Sequence, residues 1–308
     1  MTPNGLAGSL IICLVHVLEQ CIFEQCRADP CEIRCVRDGV VYAVIVPHVD
    51  GIVVAGIIDI LIWVRSRIKE LLSIEDFGGL GYYMGWEISR DKAAQTVTIS
   101  KNKYIKSICP RFGMDGAKEG GTQMSGDNPS VDENTPYREA VGSLMWASVM
   151  TRLDIASTVR EVAKHSSNPK VTHWRAFKCI LAYLNTCPSV GLNFGGYDSE
   201  CELSAYGDAS YAGDWNNRRL VTGGATMFAG GAISWMSKIQ KVVALSSTES
   251  EYIALSSVAG ELLFLRSTFE FIQPQLPRCY IDTFEDNDDA RKLVRNATSS
   301  TRTKHIGV

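Results

Sequence analysis

The C-terminal third of the chain alternates strand-type and helix-type segments, and this order restricts the fold more than any other feature. β-Branched and apolar residues predict strands, and apolar residues at helical spacing predict helices. The predicted order is strand, strand, strand, helix, strand and helix, at Cys201–Gly207, Val221–Phe228, Ala232–Met236, Thr248–Phe271, Tyr280–Phe284 and Asp289–Asn296. Such an order buries its apolar faces by placing helices against a mixed sheet, so the sequence predicts an α/β fold.

The preceding residues divide at a glycine-rich polar linker, 113–135. Before it we predict a helix at Val15–Phe23, a polar segment at Arg27–Arg37, and the elements Val40–Val46 (strand), Ile52–Val54 (strand), Ile60–Leu72 (helix), Tyr82–Ser89 (strand), Thr96–Ser100 (strand) and Lys101–Cys109 (helix, ended by Pro110). After it we predict three helices, at Tyr137–Met150, Asp154–His165 and His173–Leu184. This second part therefore reads as a helical connection to the C-terminal third.

Composition excludes several classes of protein. The chain has 308 residues, of which 45% are hydrophobic, so it can bury a core. Its 31 basic and 34 acidic residues give a net charge of −3, which argues against a strongly basic nucleic-acid binder. No apolar run reaches the roughly 18 residues that a membrane helix needs. The ten cysteines show no C-x-x-C spacing, so we expect reduced thiols in a cytosolic or nuclear protein that is not secreted.

Three acidic residues lie where a metal site could form. Asp208 follows the first strand of the C-terminal third, Glu249 begins the long helix, and Asp286 follows the fourth strand. Carboxylates at strand ends and helix starts can converge on one edge of a sheet. Their hard oxygen ligands suit Mg²⁺ or Mn²⁺, and a pair of such ions about 4 Å apart can clamp a phosphodiester. Turn and capping roles for the same residues remain open at this point.

Long motifs in serial order resemble the Pol polyproteins of copia-type LTR retrotransposons. In the C-terminal third they are DASYAGD at 208–214, GGAISWMSKIQ at 230–240, VALSSTESEY at 243–252 and DNDDARKLVRNATSSTRTKHI at 286–306. These resemble SDADWAGD, GGAISWKSKKQ, VALSSTEAEY and the DNQSAIALAKNPVFHSRTKHI segment of the family's ribonuclease H domain. Upstream, VVYAVIVPHVDGIVVAG at 40–56, MGWEISRD at 84–91 and TRLDIA at 151–156 resemble its reverse transcriptase.

The resemblance implies an organisation. It divides the chain into an unmatched N-terminus (1–13), a partial reverse-transcriptase palm (14–135), a helical connection (136–197) and a mixed-sheet ribonuclease H-like domain with flanking helices (198–308). The implied activity is metal-assisted hydrolysis of the RNA strand of an RNA–DNA hybrid, with Mg²⁺ or Mn²⁺ as cofactor. Other Pol and Gag products would be partners, in virus-like particles of the cytoplasm or nucleus, and no membrane is involved.

The resemblance also implies site residues. It assigns Asp208, Glu249 and Asp286 as the catalytic metal ligands, with Glu251 and Asp282 as the weaker candidates for the second and third positions. Residues expected to contact nucleic acid are Arg218, Arg219 and His305.

Two departures from the family pattern bear on activity. The polymerase motif YVDD is here His48-Val49-Asp50-Gly51, so Asp50 is a remnant and Gly51 offers no ligand. We therefore expect no polymerase activity. Gly307 stands where the family has the aspartate of TKHID, so one metal loses ligand oxygens. These changes keep a second hypothesis open, a decayed and non-catalytic retroelement relic.

Overall fold

A computed structural model describes residues 23–48, 51–71, 74–113, 128–196, 203–210, 220–244, 246–274 and 281–295. The chain divides into two compact units. One comprises Met1–Leu80 with Ala259–Tyr280, and the other comprises Gly81–Val258 with Ile281–Val308. Both contain helices and strands, which confirms the predicted α/β class.

The first unit is built on an antiparallel sheet of order β1-β2-β3-β4. Its elements are β1 (Phe23–Gln25), β2 (Ile33–Arg37), β3 (Val40–His48), β4 (Gly51–Gly56) and the helix α1 (Ile58–Leu71). Alternate residues of the strands face inward, so Ile33 and Ile45 pack with Val64 and Ile68 of the amphipathic α1. His48 pairs with Gly51, so strands β3 and β4 are joined by a two-residue connection.

The second unit begins with an antiparallel sheet of order β5-β6-β7-β8 and a group of helices. The elements are β5 (Tyr82–Tyr83), β6 (Trp86–Asp91), β7 (Thr96–Ser100), α2 (Asn102–Arg111), α3 (Tyr137–Met150), a 3₁₀ turn (Leu153–Ile155), α4 (Ala156–Ala163), α5 (Val171–Thr186) and β8 (Leu192–Gly195). The helices share one apolar core, in which Leu144, Phe177 and Leu181 are fully buried. The three helices predicted between residues 137 and 184 are therefore present, and they pack together.

A third sheet, also in the second unit, has the order β11-β10-β9-β12. Its strands are β9 (Leu203–Ser210), β10 (Val221–Phe228), β11 (Gly231–Ile239) and β12 (Ile281–Phe284), and its helices are α6 (Ser247–Ile272), whose residues from Ala259 onward belong to the first unit, and α7 (Asp288–Arg295). Strand β10 is antiparallel to β9 and β11, whereas β12 is parallel to β9. The mixed sheet predicted for this part of the chain is therefore confirmed.

Glycines let α6 approach one face of this sheet. A Cβ atom at Gly224 would lie 2.7 Å from Val258 Cγ2, and one at Gly207 would lie 3.5 Å from the same atom. A side chain at Gly224 would therefore force Val258 or the helix to shift. Because α6 covers this face, side chains that alternate with Gly207 and Gly224 point to the opposite face of the sheet.

Several element predictions were wrong in detail. The predicted strand Tyr82–Ser89 is broken into β5 and β6, because Met84 and Gly85 take positive φ angles of 50° and 78° and form a turn. Pro110 lies inside α2 and does not end it, since a proline in the last turn removes only one backbone bond before the helix stops. The polar segment Arg27–Arg37 contains the strand β2, which apolar neighbours from β3 stabilise.

Other predictions fall partly outside the described residues. Most of the predicted helix Val15–Phe23 lies there, and Phe23 itself begins β1. Residues 114–127 of the predicted linker also lie there. The end of that linker is described, and Ser130 forms an isolated bridge with Lys170 at the start of α5.

Candidate metal centre

Three carboxylates converge at one edge of the third sheet. They belong to Asp208, Glu251 and Asp286, and each offers one oxygen atom that lies within 4.8 Å of the other two. Asp208 and Asp286 are exposed, whereas Glu251 is buried. Two of these are the aspartates predicted from the sequence, and the third was the weaker of its two glutamate candidates.

Strand pairing brings the two aspartates together. Strands β9 and β12 are parallel, and their register pairs Tyr206 with Phe284. Asp208 and Asp286 each follow two residues later, so they lie level with one another where parallel strands present their carboxyl ends. The predicted runner-up, Asp282, pairs with Ser204 and lies four residues farther from this edge.

Glu251 reaches the edge from α6. Its Oε2 accepts a hydrogen bond of 2.7 Å from the backbone N–H of Ala209, which holds the carboxylate beside Asp208. Burial raises the pKa of the Glu251 carboxyl to about 7, and the negative charge of Glu285, followed by those of Asp208 and Asp286, adds to the rise. The acidic groups therefore repel one another when all are ionised, as expected of a site built for a cation.

Glu249, the glutamate preferred from the sequence, is not a member of this group among the described residues. Its backbone N–H donates a 3.1 Å hydrogen bond to Ser246 Oγ, the residue before α6, so position 249 belongs to a helix cap. The expectation that Glu249 would meet the aspartates is therefore not met. Glu251 lies two residues later, about half a helical turn round the helix, and its side chain is the one that reaches the aspartates.

A helical signal could have found Glu251 in the sequence. It lies three residues before Ala254 and seven before Val258, and all three are buried on one face of α6. A glutamate on the helix face that packs against the sheet, as Glu251 is, can reach the carboxyl ends of the strands. The family motif alone did not separate the two glutamates, because they are only two residues apart.

Glu285 is a fourth acidic residue near the group, and it was not among the residues predicted from the sequence. It is 9% exposed, between the exposed residues Phe284 and Asp286. Its Oε1 accepts a 3.0 Å hydrogen bond from the backbone N–H of Asn287. Burial raises the pKa of its carboxyl, and the charges of Asp286 and Asp208 add to the rise.

The sheet face opposite α6 continues from the carboxylates. Tyr206 and Phe284 are each 48% exposed, and their rings stack at a centroid distance of 4.9 Å and an angle of 12°. In the next strand, Gly223 pairs with Asp208, and a Cβ atom added there would meet, among the described residues, only the backbone oxygen of Asp208 at 3.7 Å. This leaves an open strip of sheet beside Asp208.

Helices of the connection border the far side of this strip. Trp235 Nε1 donates a 2.8 Å hydrogen bond to the backbone carbonyl of Ser148 at the end of α3. Arg160 Nε of α4 donates a 3.0 Å bond to Ser237 Oγ, and its guanidinium also pairs with Glu161. Ser237 pairs with Gly223, which pairs with Asp208, so the residue that Arg160 contacts lies two strand spacings, or about 10 Å, from Asp208 in one cross-strand row.

The remaining predicted site residues lie outside the described part of the chain. These are Asp50, Arg218, Arg219 and His305. The described residues of the polymerase-like motif, His48 and Gly51, pair with one another at the ends of β3 and β4. In the parts of the chain that are described, no helix has both the length and the apolar character needed to cross a bilayer. The six described cysteines are not in disulfide bonds.

Known proteins similar to this chain include a transposon polyprotein and a secreted effector. The chain is 36% identical over 282 residues to the retrovirus-related Pol polyprotein from transposon TNT 1-94 of Nicotiana tabacum, covering 87% of this chain and 21% of that polyprotein. It is 43% identical over 133 residues to the secreted RxLR effector protein 161 of Plasmopara viticola, covering 43% of this chain and 93% of the effector. No family model matches the chain.

Among solved structures, the chain resembles a foamy viral protease–reverse transcriptase in complex with double-stranded DNA. The TM-score is 0.49 at 12% sequence identity, over 94% of this chain and 44% of that one. The chain spans about a fifth of the length of the tobacco polyprotein, and the match covers 87% of the chain. The motifs and the sequence matches to plant transposon polyproteins together establish that the chain belongs to the Pol polyproteins of copia-type retrotransposons.

Proposed function

We propose that this chain hydrolyses the RNA strand of RNA–DNA hybrids at a site formed by Asp208, Glu251 and Asp286. The observation that carries the proposal is the convergence of their three carboxylates within 4.8 Å from separate elements of one unit. Carboxylates gathered this closely are costly unless a cation neutralises them. Glu251 takes the role that the sequence analysis gave to Glu249.

The donor set fits Mg²⁺ or Mn²⁺. Oxygen ligands from carboxylates suit these hard cations, which retain several waters and leave positions open to a phosphate. When bound, such ions supply a water nucleophile and stabilise the charge that develops on the leaving oxygen. The Ala209 N–H orients the Glu251 carboxylate, and the carboxylate oxygens of the group keep lone pairs for a cation.

The open strip beside Asp208 supplies a path for the scissile strand. Tyr206 and Phe284 offer exposed rings for sugar or base contacts on one side, and Arg160 lies on the other. Gly223 lies between them and adds no side chain to this face. Discrimination of RNA from DNA at such a site would rest on the 2′-hydroxyl and the shape of the hybrid.

The same chain is not proposed to polymerise DNA, because Gly51 replaces an aspartate that nucleotidyl transfer needs. A non-catalytic retroelement relic is the second candidate. The observation that favours it is Gly307, where the family resemblance expects another carboxylate of the hydrolytic site. Other Pol and Gag products of the same element, in the cytoplasm or nucleus, are the proposed partners.

Hydrolysis of a labelled RNA–DNA hybrid in Mg²⁺ tests the proposal. The chain should cut the RNA strand and leave the DNA strand and double-stranded DNA intact, and Asp208→Asn should reduce the rate to background. Equal, background-level rates for both proteins would favour the relic. Circular dichroism of Asp208→Asn shows whether the variant is folded.

A further inference from the structure

Gln240, the last residue of the GGAISWMSKIQ motif, is a buried glutamine outside the carboxylate group. It directly follows β11 and is 4% exposed. Its side-chain carbonyl oxygen, Oε1, has no hydrogen-bond partner among the described residues. A buried acceptor left in this state destabilises a folded chain, and an apolar side chain of similar length would avoid that cost. The value of glutamine at this position therefore lies in what its amide group donates.

The amide of Gln240 joins the third sheet to α6. Nε2 donates a 3.1 Å hydrogen bond to Thr222 Oγ1 of β10 and a 2.9 Å bond to the backbone carbonyl of Ser250 in the first turn of α6. The backbone N–H of Gln240 also donates a 2.8 Å bond to the carbonyl of Leu220, which extends the pairing of β10 with β11 by one residue. Thr222 and Ser250 are both buried. The glutamine is therefore anchored at its backbone and at both hydrogen atoms of its amide.

Both of these side-chain bonds lead to Glu251. The carbonyl of Ser250 belongs to the peptide unit that joins Ser250 to Glu251, so Gln240 holds the main chain of the glutamate. The Ala209 N–H holds its carboxylate, through the 2.7 Å bond to Oε2. Thr222, the other partner of Gln240, pairs with Ala209 across β10 and β9. The contacts form a closed ring that fixes Glu251 at its main chain and at its carboxylate.

The bond from Gln240 to Ser250 is not a helix cap. The groups that lack partners at the start of a helix are N–H groups, whereas Gln240 donates to a carbonyl. The start of α6 has its own local bonds, from the Glu249 N–H to Ser246 Oγ and from Ser250 Oγ to the carbonyl of Ser247. Those bonds have both partners at the helix start. The donor of the Gln240 bond belongs to the sheet, so this bond fixes where the first turn of α6 lies against the strands.

The place of this turn decides whether the three carboxylates meet. The oxygen atoms that they offer lie within 4.8 Å of one another. Asp208 and Asp286 come from paired strands, whereas Glu251 comes from the helix, so a shift of the helix separates it from the other two. A misplacement of about 1 Å at a reacting centre can lower a rate by roughly a hundredfold. A bond that prevents such a shift contributes to the rate without contacting the substrate.

We propose that Gln240 is a positioning residue for the hydrolysis of RNA–DNA hybrids, which holds Glu251 beside Asp208 by tying the first turn of α6 to β10. The inference rests on the proposed function. The action of Gln240 is indirect, because its two donated bonds end on Thr222 and Ser250 and not on the carboxylates. Removing the amide should loosen Glu251 and leave the surface that binds the hybrid in place. We therefore expect kcat to fall while KM for the hybrid stays the same.

Two measurements on Gln240→Met test this assignment, since methionine keeps the length of the side chain but donates no hydrogen bond. In the metal-free full chain, hydrogen exchange of the Ala209 amide, followed by NMR with isotope-labelled alanine, should be about tenfold faster or more, because its bond to Glu251 is loosened. In Mg²⁺, kcat for a labelled hybrid should fall about tenfold or more, with KM within about twofold of the wild type. Gln25→Met, at an exposed glutamine of β1, is the matched control and should behave like the wild type.

A second pair of variants separates positioning from packing. Thr222→Val keeps the shape of the side chain but removes the acceptor for Gln240, so it should change Ala209 exchange and kcat in the same directions as Gln240→Met. Thr222→Ser keeps the hydroxyl and should leave both values within about twofold of the wild type. A packing role would give the opposite order, because serine lacks a buried methyl group that valine retains.

The outcomes distinguish this inference from the proposed function, because Ala209 exchange requires neither metal nor activity. Unchanged Ala209 exchange in folded Gln240→Met would overturn the inference at any rate of cleavage. Faster exchange with an unchanged kcat would also overturn it, since Glu251 would then not need this support. A lower free energy of unfolding in urea, with both other values unchanged, would leave Gln240 a structural residue only. A wild type that cleaves no hybrid would overturn the proposed function, while faster Ala209 exchange in Gln240→Met would still support the hold on Glu251.

Discussion

Replacing Glu251 by glutamine should stabilise the metal-free protein and abolish its response to Mg²⁺. Burial and neighbouring carboxylates raise the pKa of Glu251 from its ordinary 4.5 to about 7 in the folded chain. A raised pKa means that the folded state binds the proton more tightly, so stability is present at low pH and lost as pH rises from 4.5 through 7. Glutamine removes this loss while keeping an acceptor for the Ala209 N–H.

The size of the effect follows from the pKa difference. At about 1.4 kcal/mol for each pH unit, the rise corresponds to roughly 3 kcal/mol when Glu251 is fully ionised. Because the residue is 8% exposed, solvent screens this cost only slightly. In EDTA, Glu251→Gln should therefore match the wild type near pH 4 and exceed its free energy of unfolding by about 3 kcal/mol near pH 8.

Urea denaturation in EDTA across this pH range measures the difference. Parallel stability curves for Glu251→Gln and the wild type would refute the reasoning, since they would mean that Glu251 ionises without cost. Repeating the series with Mg²⁺ adds a second test. The wild type should gain stability at pH 8, Glu251→Gln should not, and Glu249→Gln should gain like the wild type because Glu249 lies outside the carboxylate group.

Three further predictions follow from the same geometry. Gly223→Val should leave thermal stability and Mg²⁺ binding intact but weaken hybrid binding by about tenfold, because its side chain fills the open strip; fluorescence anisotropy measures this, with Ser89→Val on β6 as control. Arg152→Leu should lower the free energy of unfolding by about 2–4 kcal/mol in urea titrations, since it removes the ion pair with Asp154 and the hydrogen bond to the Cys187 carbonyl; a loss under 1 kcal/mol would contradict this. Asp286→Asn should abolish RNA cleavage, whereas Asp282→Asn should retain it, and equal rates would remove Asp286 from the site.

The sequence predicted the elements that depend on local pattern. Helix α6 and strands β7 and β10 agree with their predictions to within a residue, because their apolar periodicity matches the face that packs. Strand β8 was not predicted. It pairs with β7, almost a hundred residues earlier in the chain, and short segments leave such long-range pairing unmarked.

The candidate site was predictable at its aspartates and ambiguous at its glutamate. Asp208 and Asp286 lie at strand ends, so the parallel pairing of β9 and β12 was enough to bring them together. The choice between Glu249 and Glu251 depended on which face of α6 meets the sheet, and a two-residue step along a helix rotates a side chain by about 200°. Glu285 was missed because its burial depends on α6, which covers that side of the sheet.

Cleavage of a labelled RNA–DNA hybrid by the wild type, Glu251→Gln and Glu249→Gln tests the central claim most directly. With Mg²⁺ at pH 8, the wild type and Glu249→Gln should cut the RNA strand at similar rates. Glu251→Gln, folded and more stable without metal, should fall to the background of Asp208→Asn. Cleavage by Glu251→Gln at the wild-type rate, with activity lost in Glu249→Gln, would contradict the account and return the second metal ligand to Glu249.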